Sequence, residues 1–595
     1  MATTRRVYLY GIALVALGML VAGLVSFVEL LLETLVQAAA GTPVAVGPDQ
    51  MRARVSYAGA LSAIGLVAWL VHWTLANRPL RRGGAEAAVE RRAAMRKLFL
   101  YVVLFVGGLL LTFAASDLVR DLLLTLAGRL TWTDVLTGSI THPLARLAAG
   151  GVFWVYYARV AAADRAAEPE RGAGATLRRW YVYALSFIAL LLGLFGAAGA
   201  LQELWAAATV PAGAADAGSG WLGVALAGRL GGLAAGLGCW YLAWTWSVAW
   251  FDRTEGPDPE NRSVLRKVYL YLVLAVAVAW TVWNLGRALH DLLLAALIPE
   301  RLAVGWGAVV HDLGDPLTAA VVFGVAWAYH ARVVEREAAR AGERHRQATI
   351  RWFYAYLVAL VGLLALAVGL GGTLSTVLDL AVQPGAAHET HWWQERISLF
   401  ATLVAVGLPL WLAYWLRLQR EALEPLARDA LVRRIYLFLV FGLAVLALLC
   451  SGAFALYQLI RLALGDTWTA GATSELITAA SAAAVAALFL AYHLRVFRAG
   501  ATPAAAPAAP PAGPPTPPPP GAAPTAPPAA PLPGSPPAAA DAPHLALAVV
   551  RAADPALLAA FARELQARQP AGVEVQLLPV DTPTAARLLA AAGGE

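Results

Sequence analysis

The chain has 595 residues, 59% of them hydrophobic and only 14% charged. Soluble domains carry roughly 25% charged residues, so this composition excludes an ordinary water-soluble enzyme and points to a polytopic membrane protein. The net charge of +7 does not indicate a nucleic-acid partner, because 31 of the 45 Lys+Arg sit at one set of helix ends and in the segments joining them. Ten lie near the opposite ends and four in the C-terminal tail. That asymmetry is the positive-inside signal of a membrane protein.

The first element opens with Arg5-Arg6-Val7-Tyr8-Leu9-Tyr10. Versions of this motif recur at Arg96, Arg178, Arg266, Arg351 and Arg433, with successive starts 91, 82, 88, 85 and 82 residues apart. Each opens a long apolar run, as a basic and aromatic membrane-interface anchor does. The anchoring aromatics are Tyr8, Tyr10, Phe99, Tyr101, Tyr181, Tyr183, Tyr269, Tyr271, Tyr354, Tyr356, Tyr436 and Phe438. The first motif resembles a twin-arginine export signal, but its apolar run is long enough to span and the motif recurs internally, so it reads as a membrane helix.

The spacing predicts all-α transmembrane architecture: six tandem parallel helical hairpins, about twelve spans. First helices are expected over about 7–34, 98–127, 180–207, 268–297, 353–382 and 435–464. Their partners are expected over about 55–76, 141–161, 221–251, 316–334, 396–418 and 475–497, and several end alike, as in Ala328-Tyr329-His330-Ala331-Arg332 and Ala491-Tyr492-His493-Leu494-Arg495. The hairpins divide the membrane domain 1–498 into 1–90, 91–172, 173–260, 261–346, 347–428 and 429–498. Two spans per hairpin return the chain to the side it left, which places both termini in the cytoplasm. Pro143 and Pro316 mark helix starts, and Pro409 is expected to kink a span. Residues 501–540 hold 17 of the 35 prolines, so 499–543 reads as a disordered, semi-extended linker. Residues 544–595 read as a small cytoplasmic βαβα module.

The repeated Arg-Arg-x-Tyr-x-Tyr opening, together with a partner ending like Gly407-Leu408-Pro409-Leu410-Trp411-Leu412-Ala413-Tyr414-Trp415, resembles an uncharacterised family of bacterial multi-pass proteins, domain of unknown function 5671. The resemblance covers about residues 5–498, as three four-helix units. It implies an inner-membrane protein and supplies no activity.

Polar residues appear at helical spacing late in the opening helices: Glu29, Glu33, Asp117, Arg120, Asp121, Glu203, Arg287, His290, Asp291, Asp379 and Arg461. Arg54, Arg146, Arg229, Arg396 and Glu475 stand near the start of the partner helices, often with opposite charge. Steps of three and four place most of the first set on one face. They read as ion pairs and snorkelling groups at the outer edge, or as a charged vestibule for an ion or polar solute. Arg146 lies more than a turn inside its span and is expected to pair with Asp117 or Asp121. His330 and His493 read as members of an interfacial aromatic belt. His388-Glu389-Thr390-His391 lacks metal-site spacing, and Cys239 and Cys450 form neither a disulfide framework nor a metal pair. No catalytic arrangement, metal site or cofactor is expected. The leading expectation is a non-catalytic scaffold or sensor whose tail reaches a cytoplasmic protein partner. The alternative is a transporter or channel, against which the opening helices lack mid-span acids; Asn284 is the strong polar group at that depth.

Overall fold

The computed structural model describes residues 2–41, 47–131, 140–209, 221–251, 260, 263–303, 305–341, 345–384, 390–465 and 467–501. The chain divides into two units, Met1–Ala504 and Ala505–Glu595, and all described residues belong to the first. Most of the proline-rich stretch and the whole expected βαβα module lie outside the described residues.

The described residues form sixteen helices and no strand. They are α1 (Ala2–Ala40), α2 (Pro48–Arg82), α3 (Gly84–Arg92), α4 (Ala94–Leu126), α5 (Thr141–Ala167), α6 (Ala173–Thr209), α7 (Trp221–Phe251) and α8 (Val264–Leu297). The short α9 (Pro299–Ala303) and α10 (Trp306–Asp312) lead into α11 (Gly314–Ala341), followed by α12 (His345–Val382) and α13 (Trp392–Glu421). After α14 (Pro425–Arg428) come α15 (Leu431–Ala463) and α16 (Ala470–Ala501).

Eleven helical runs among the described residues are long and apolar enough to cross a membrane. The expected twelfth, α5, does form, with 27 residues, but falls short on apolarity. Arg146 and Arg159 bracket its apolar centre, and Asp164 and Arg165 close its end. Pro143 and Pro316 each stand third in their helices, inside the first turn, where backbone N–H groups have no intrahelical acceptor. α13 continues through Pro409.

Three helix pairs pack most extensively: α1 with α2, α6 with α7, and α12 with α13. Glycine makes this approach possible. A Cβ on Gly65 would lie 2.6 Å from the Leu20 backbone nitrogen, one on Gly236 2.4 Å from that of Gly193, and one on Gly407 2.6 Å from that of Leu366. Without a hydrophobic drive between helices in lipid, such close backbone contact is what holds a pair together. The pairs α4/α5, α8/α11 and α15/α16 pack less extensively. They are held from outside as well: α1 lies on α5, α6 on α11 and α12 on α16. The same contact pattern thus returns in three groups of four helices, and α4 and α8 each also contact both helices of the next close pair.

Candidate functional site

The helix-opening motifs build a polar layer. Its core residues are Arg96 and Arg266, 1% and 2% exposed. Arg96 Nε donates to Asp164 Oδ2 at 2.7 Å, and its Nη1 to Asn77 Oδ1 at 2.9 Å and Tyr10 Oη at 3.3 Å. The Tyr10 hydroxyl in turn donates to Glu90 at 2.9 Å, which also accepts from Arg6 Nε at 2.9 Å. The same circuit recurs around Arg266. Its Nη2 lies 2.7 Å from Glu337, its Nη1 donates to Tyr183 Oη at 3.2 Å and to the Ser247 carbonyl at 3.0 Å. Tyr183 donates to Glu260 at 2.7 Å, and Arg179 Nε donates to the same carboxylate at 2.9 Å. Lys97 and Lys267 extend the two circuits to Glu170 and Glu337, at 2.9 and 3.0 Å. Charges this deep persist because each meets a counter-charge, and Arg96 and Arg266 meet hydrogen bonds as well.

A ring cluster recurs three times, and two of its copies sit directly against Arg96 and Arg266. Trp73 donates to Tyr156 Oη at 2.8 Å, Trp244 to Tyr329 at 2.9 Å and Trp415 to Tyr492 at 2.7 Å. Each tryptophan also meets a ring of the following opening helix, Phe99, Tyr269 or Tyr436, with centroids 5.3, 5.7 and 5.2 Å apart. The Arg96 and Arg266 guanidinium groups lie 5.4 and 5.0 Å over Trp73 and Trp244, a favourable cation–π placement. His330 and His493 are 1% and 0% exposed, with Nδ1 2.8 Å from the Ala326 and Phe489 carbonyls. They are core residues of this cluster and not members of an interfacial belt.

Most of the aromatics of the opening motifs are buried as well. Tyr8 and Phe438 are 58% and 60% exposed, as a lipid-facing anchor is. Tyr181 is half-buried. Tyr10, Phe99, Tyr101, Tyr183, Tyr269, Tyr271, Tyr354, Tyr356 and Tyr436 are all buried between helices. The sequence reading also passed over the carboxylates that complete the layer, Glu90, Asp164, Glu170, Glu260, Glu337 and Glu421. A signal existed: Glu90 and Glu260 each stand six residues before Arg96 and Arg266, and Asp164 and Glu337 seven after Tyr157 and His330.

The polar residues late in the opening helices pair locally. Arg54 forms a two-pronged contact with Glu33 at 2.8 and 3.1 Å, and His142 Nδ1 lies 2.9 Å from Glu29. Arg146 Nη1 meets Asp117 at 3.2 Å, as its position inside α5 required. Asp121 is taken instead by Arg120 at 2.9 Å. Arg229 faces Glu203 at 3.6 Å, and Arg287 pairs with Asp315 at 2.8 Å. His290 shares Ser398 Oγ at 2.8 Å. Asp379, 1% exposed, accepts from Ser474 and Gln383, both at 2.8 Å. Glu475 accepts from Gln458 at 2.8 Å. Arg461 lies over Tyr457 at 5.7 Å and Arg396 over Trp392 at 5.9 Å. Asp291 is half-buried. Asn284 is buried and donates to the Trp280 carbonyl at 2.8 Å. Arg120 also reaches Asp117 at 3.4 Å, so Asp117, Arg120, Asp121 and Arg146 form one linked network; the other contacts are separate, and among the described residues no group of three His, Cys, Asp or Glu is placed to hold a metal ion.

The family described as domain of unknown function 5671 matches residues 6–152, 179–310, 282–382 and 353–490. The matches beginning at 6, 179 and 353 start 173 and 174 residues apart, close to the interval that separates Tyr10, Tyr183 and Tyr356. No curated protein matches the chain, and no solved structure does. With most of its first 490 residues matched, the chain belongs to the domain of unknown function 5671 family.

Proposed function

We propose that this chain is a non-catalytic membrane scaffold or sensor. It comprises six parallel hairpins, grouped as three four-helix units, with both termini cytoplasmic in a bacterial inner membrane. The proline-rich segment 499–543 would carry the module 544–595 to a cytoplasmic protein partner. The observation that carries this reading is the polar layer. Its buried charges are spent on closing individual hairpins, through Glu90, Asp164, Glu260 and Glu337, while Arg96 and Arg266 also bond Tyr10 and Tyr183 of the preceding hairpin. A transporter for an ion or small polar solute instead needs intramembrane polar groups free to bind cargo, and the outer charges expected to form a vestibule are largely engaged with one another.

Ligand-dependent stabilisation tests this. The full chain in detergent is unfolded in the presence of a panel of ions and small polar solutes, since anything bound only by the folded state raises the midpoint. The scaffold reading expects no solute to shift it. A saturable upward shift with one solute would favour transport.

A further inference from the structure

Two grooves of one kind lie on the first and third groups of four helices. The first, about 640 Å³, runs between α1, α4 and α5. The other, about 470 Å³, runs between α12, α15 and α16, with Arg396 of α13 at one end. The ring clusters fix their correspondence. Ala22 and Val368 each stand twelve residues after Tyr10 and Tyr356, and line the two grooves. Leu110 and Ala447 stand eleven after Phe99 and Tyr436; Gly150 and Ala486 stand seven before Tyr157 and His493.

In the middle group the same three positions are Phe195, Trp280 and Phe323. Their rings pack together, with centroids 5.2 Å apart for Phe195–Trp280, 5.2 Å for Phe195–Phe323 and 5.7 Å for Trp280–Phe323. Side chains of this size fill what is open on either side. The open grooves therefore call for an occupant, since apolar surface without contact atoms forfeits dispersion energy.

The occupant is identified by length, access and charge. From Leu360 to Gly372 the lining of α12 extends roughly 18 Å at 1.5 Å per residue, over half of a hydrocarbon core about 30 Å thick. Val368 is 56% exposed, so the groove opens sideways from the helix surface. At its end Arg396 lies 5.9 and 6.0 Å over Trp392 and Phe400 and, among the described residues, pairs with no carboxylate. At the matching end of the first groove, Arg146 is held by Asp117 and His142 by Glu29.

We propose that each groove holds an acyl chain of a bilayer phospholipid, and that the third group selects an anionic one whose phosphate meets Arg396. The first groove, with its cations already compensated, takes a phospholipid without regard to headgroup charge, and the middle copy is plugged. This inference rests on the grooves and not on the scaffold reading.

The full chain is reconstituted in nanodiscs of equal phosphatidylglycerol and phosphatidylcholine, released into mild detergent and weighed by native mass spectrometry. Two retained phospholipids are expected. Val368→Phe, Ala447→Trp and Ala486→Phe together should remove one, and the one lost should be phosphatidylglycerol. Arg396→Gln should keep two but abolish the phosphatidylglycerol preference. Phe195→Ala, Trp280→Leu and Phe323→Gly together should add a third. Two lipids on the filled variant, or detergent alone in the grooves of the wild-type chain, would overturn the proposal. If the filled variant fails to fold, the opened middle group decides: no additional lipid there overturns it equally. An unchanged headgroup preference in Arg396→Gln would overturn the selection by charge.

Discussion

The arginines that open α8 and α15 stand in the same motif and in similar ring clusters, yet differ in one respect. Arg266 is bound by Glu337, Tyr183 and Ser247. Arg433 is also buried, but its Nη1 donates to the Arg428 carbonyl at 3.3 Å and its Nε has no partner. The carboxylate position seven after His330 is Glu337, whereas seven after His493 it is Gly500; the position six before Arg266 is Glu260, whereas six before Arg433 it is Ala427. Trp244–Tyr329 and Trp415–Tyr492 are nevertheless equivalent. The ring cluster is therefore the constant part of the four-helix unit, and the ion pairs are an addition that closes individual hairpins within it.

The largest test of this comparison is Glu337→Ala. It strands both Arg266 and Lys267 in the interior, and breaking a buried pair costs about 3–5 kcal/mol. Detergent unfolding monitored by tryptophan fluorescence should show that loss, and Arg266→Met with Lys267→Met on the same background should recover much of it. A loss below about 1 kcal/mol would mean that the ion pairs tie nothing together. The Arg146–Asp117 pair is more accessible, 22% and 30% exposed at the side chains. Its coupling should be near the upper end for surface pairs, about 1 kcal/mol. A double-mutant cycle with Arg146→Ala and Asp117→Ala reads it directly, and simple additivity would contradict the pairing. The smallest effect is expected for Arg433→Met. This removes one long hydrogen bond and relieves a buried nitrogen without a partner, so stability should stay within about 1 kcal/mol. A loss as large as that of Glu337→Ala would erase the distinction between the two arginines.

Much of this architecture was legible in the sequence, because apolar runs and recurring Arg-Arg-x-Tyr-x-Tyr openings report helices regardless of how they pack. Burial was not. Aromatics two apart on a helix point about 200° from one another, so an anchor motif alone places one ring toward lipid. That holds on α1, where Tyr8 is exposed and Tyr10 buried, and on α15, where Phe438 is exposed and Tyr436 buried. On α4, α8 and α12 both rings are buried, because neighbouring helices cover both faces. A single sequence cannot announce that neighbour. Arg146 was readable for the opposite reason: a charge inside an apolar span demands a partner nearby, and Asp117 was one of the two acids within reach. Asp121 pairs with Arg120, its adjacent residue, which also reaches Asp117.

The arrangement of six parallel hairpins with the arginine layer on the cytoplasmic side is tested most directly by reporter fusions along the chain. Fusions after Pro48, Thr137, Gly218, Gly305, His388 and Thr473 should all report the external side. Those after Gly84, Gly172, Pro257, Gly342 and Leu426 should report the cytoplasm. The fusion after Gly172 is the most informative, since it lies beyond α5, the helix whose apolarity falls short. A cytoplasmic reading there with an external one after Thr137 means that α5 crosses. Two or more inverted readings would contradict the hairpin topology and, with it, the placement of the tail.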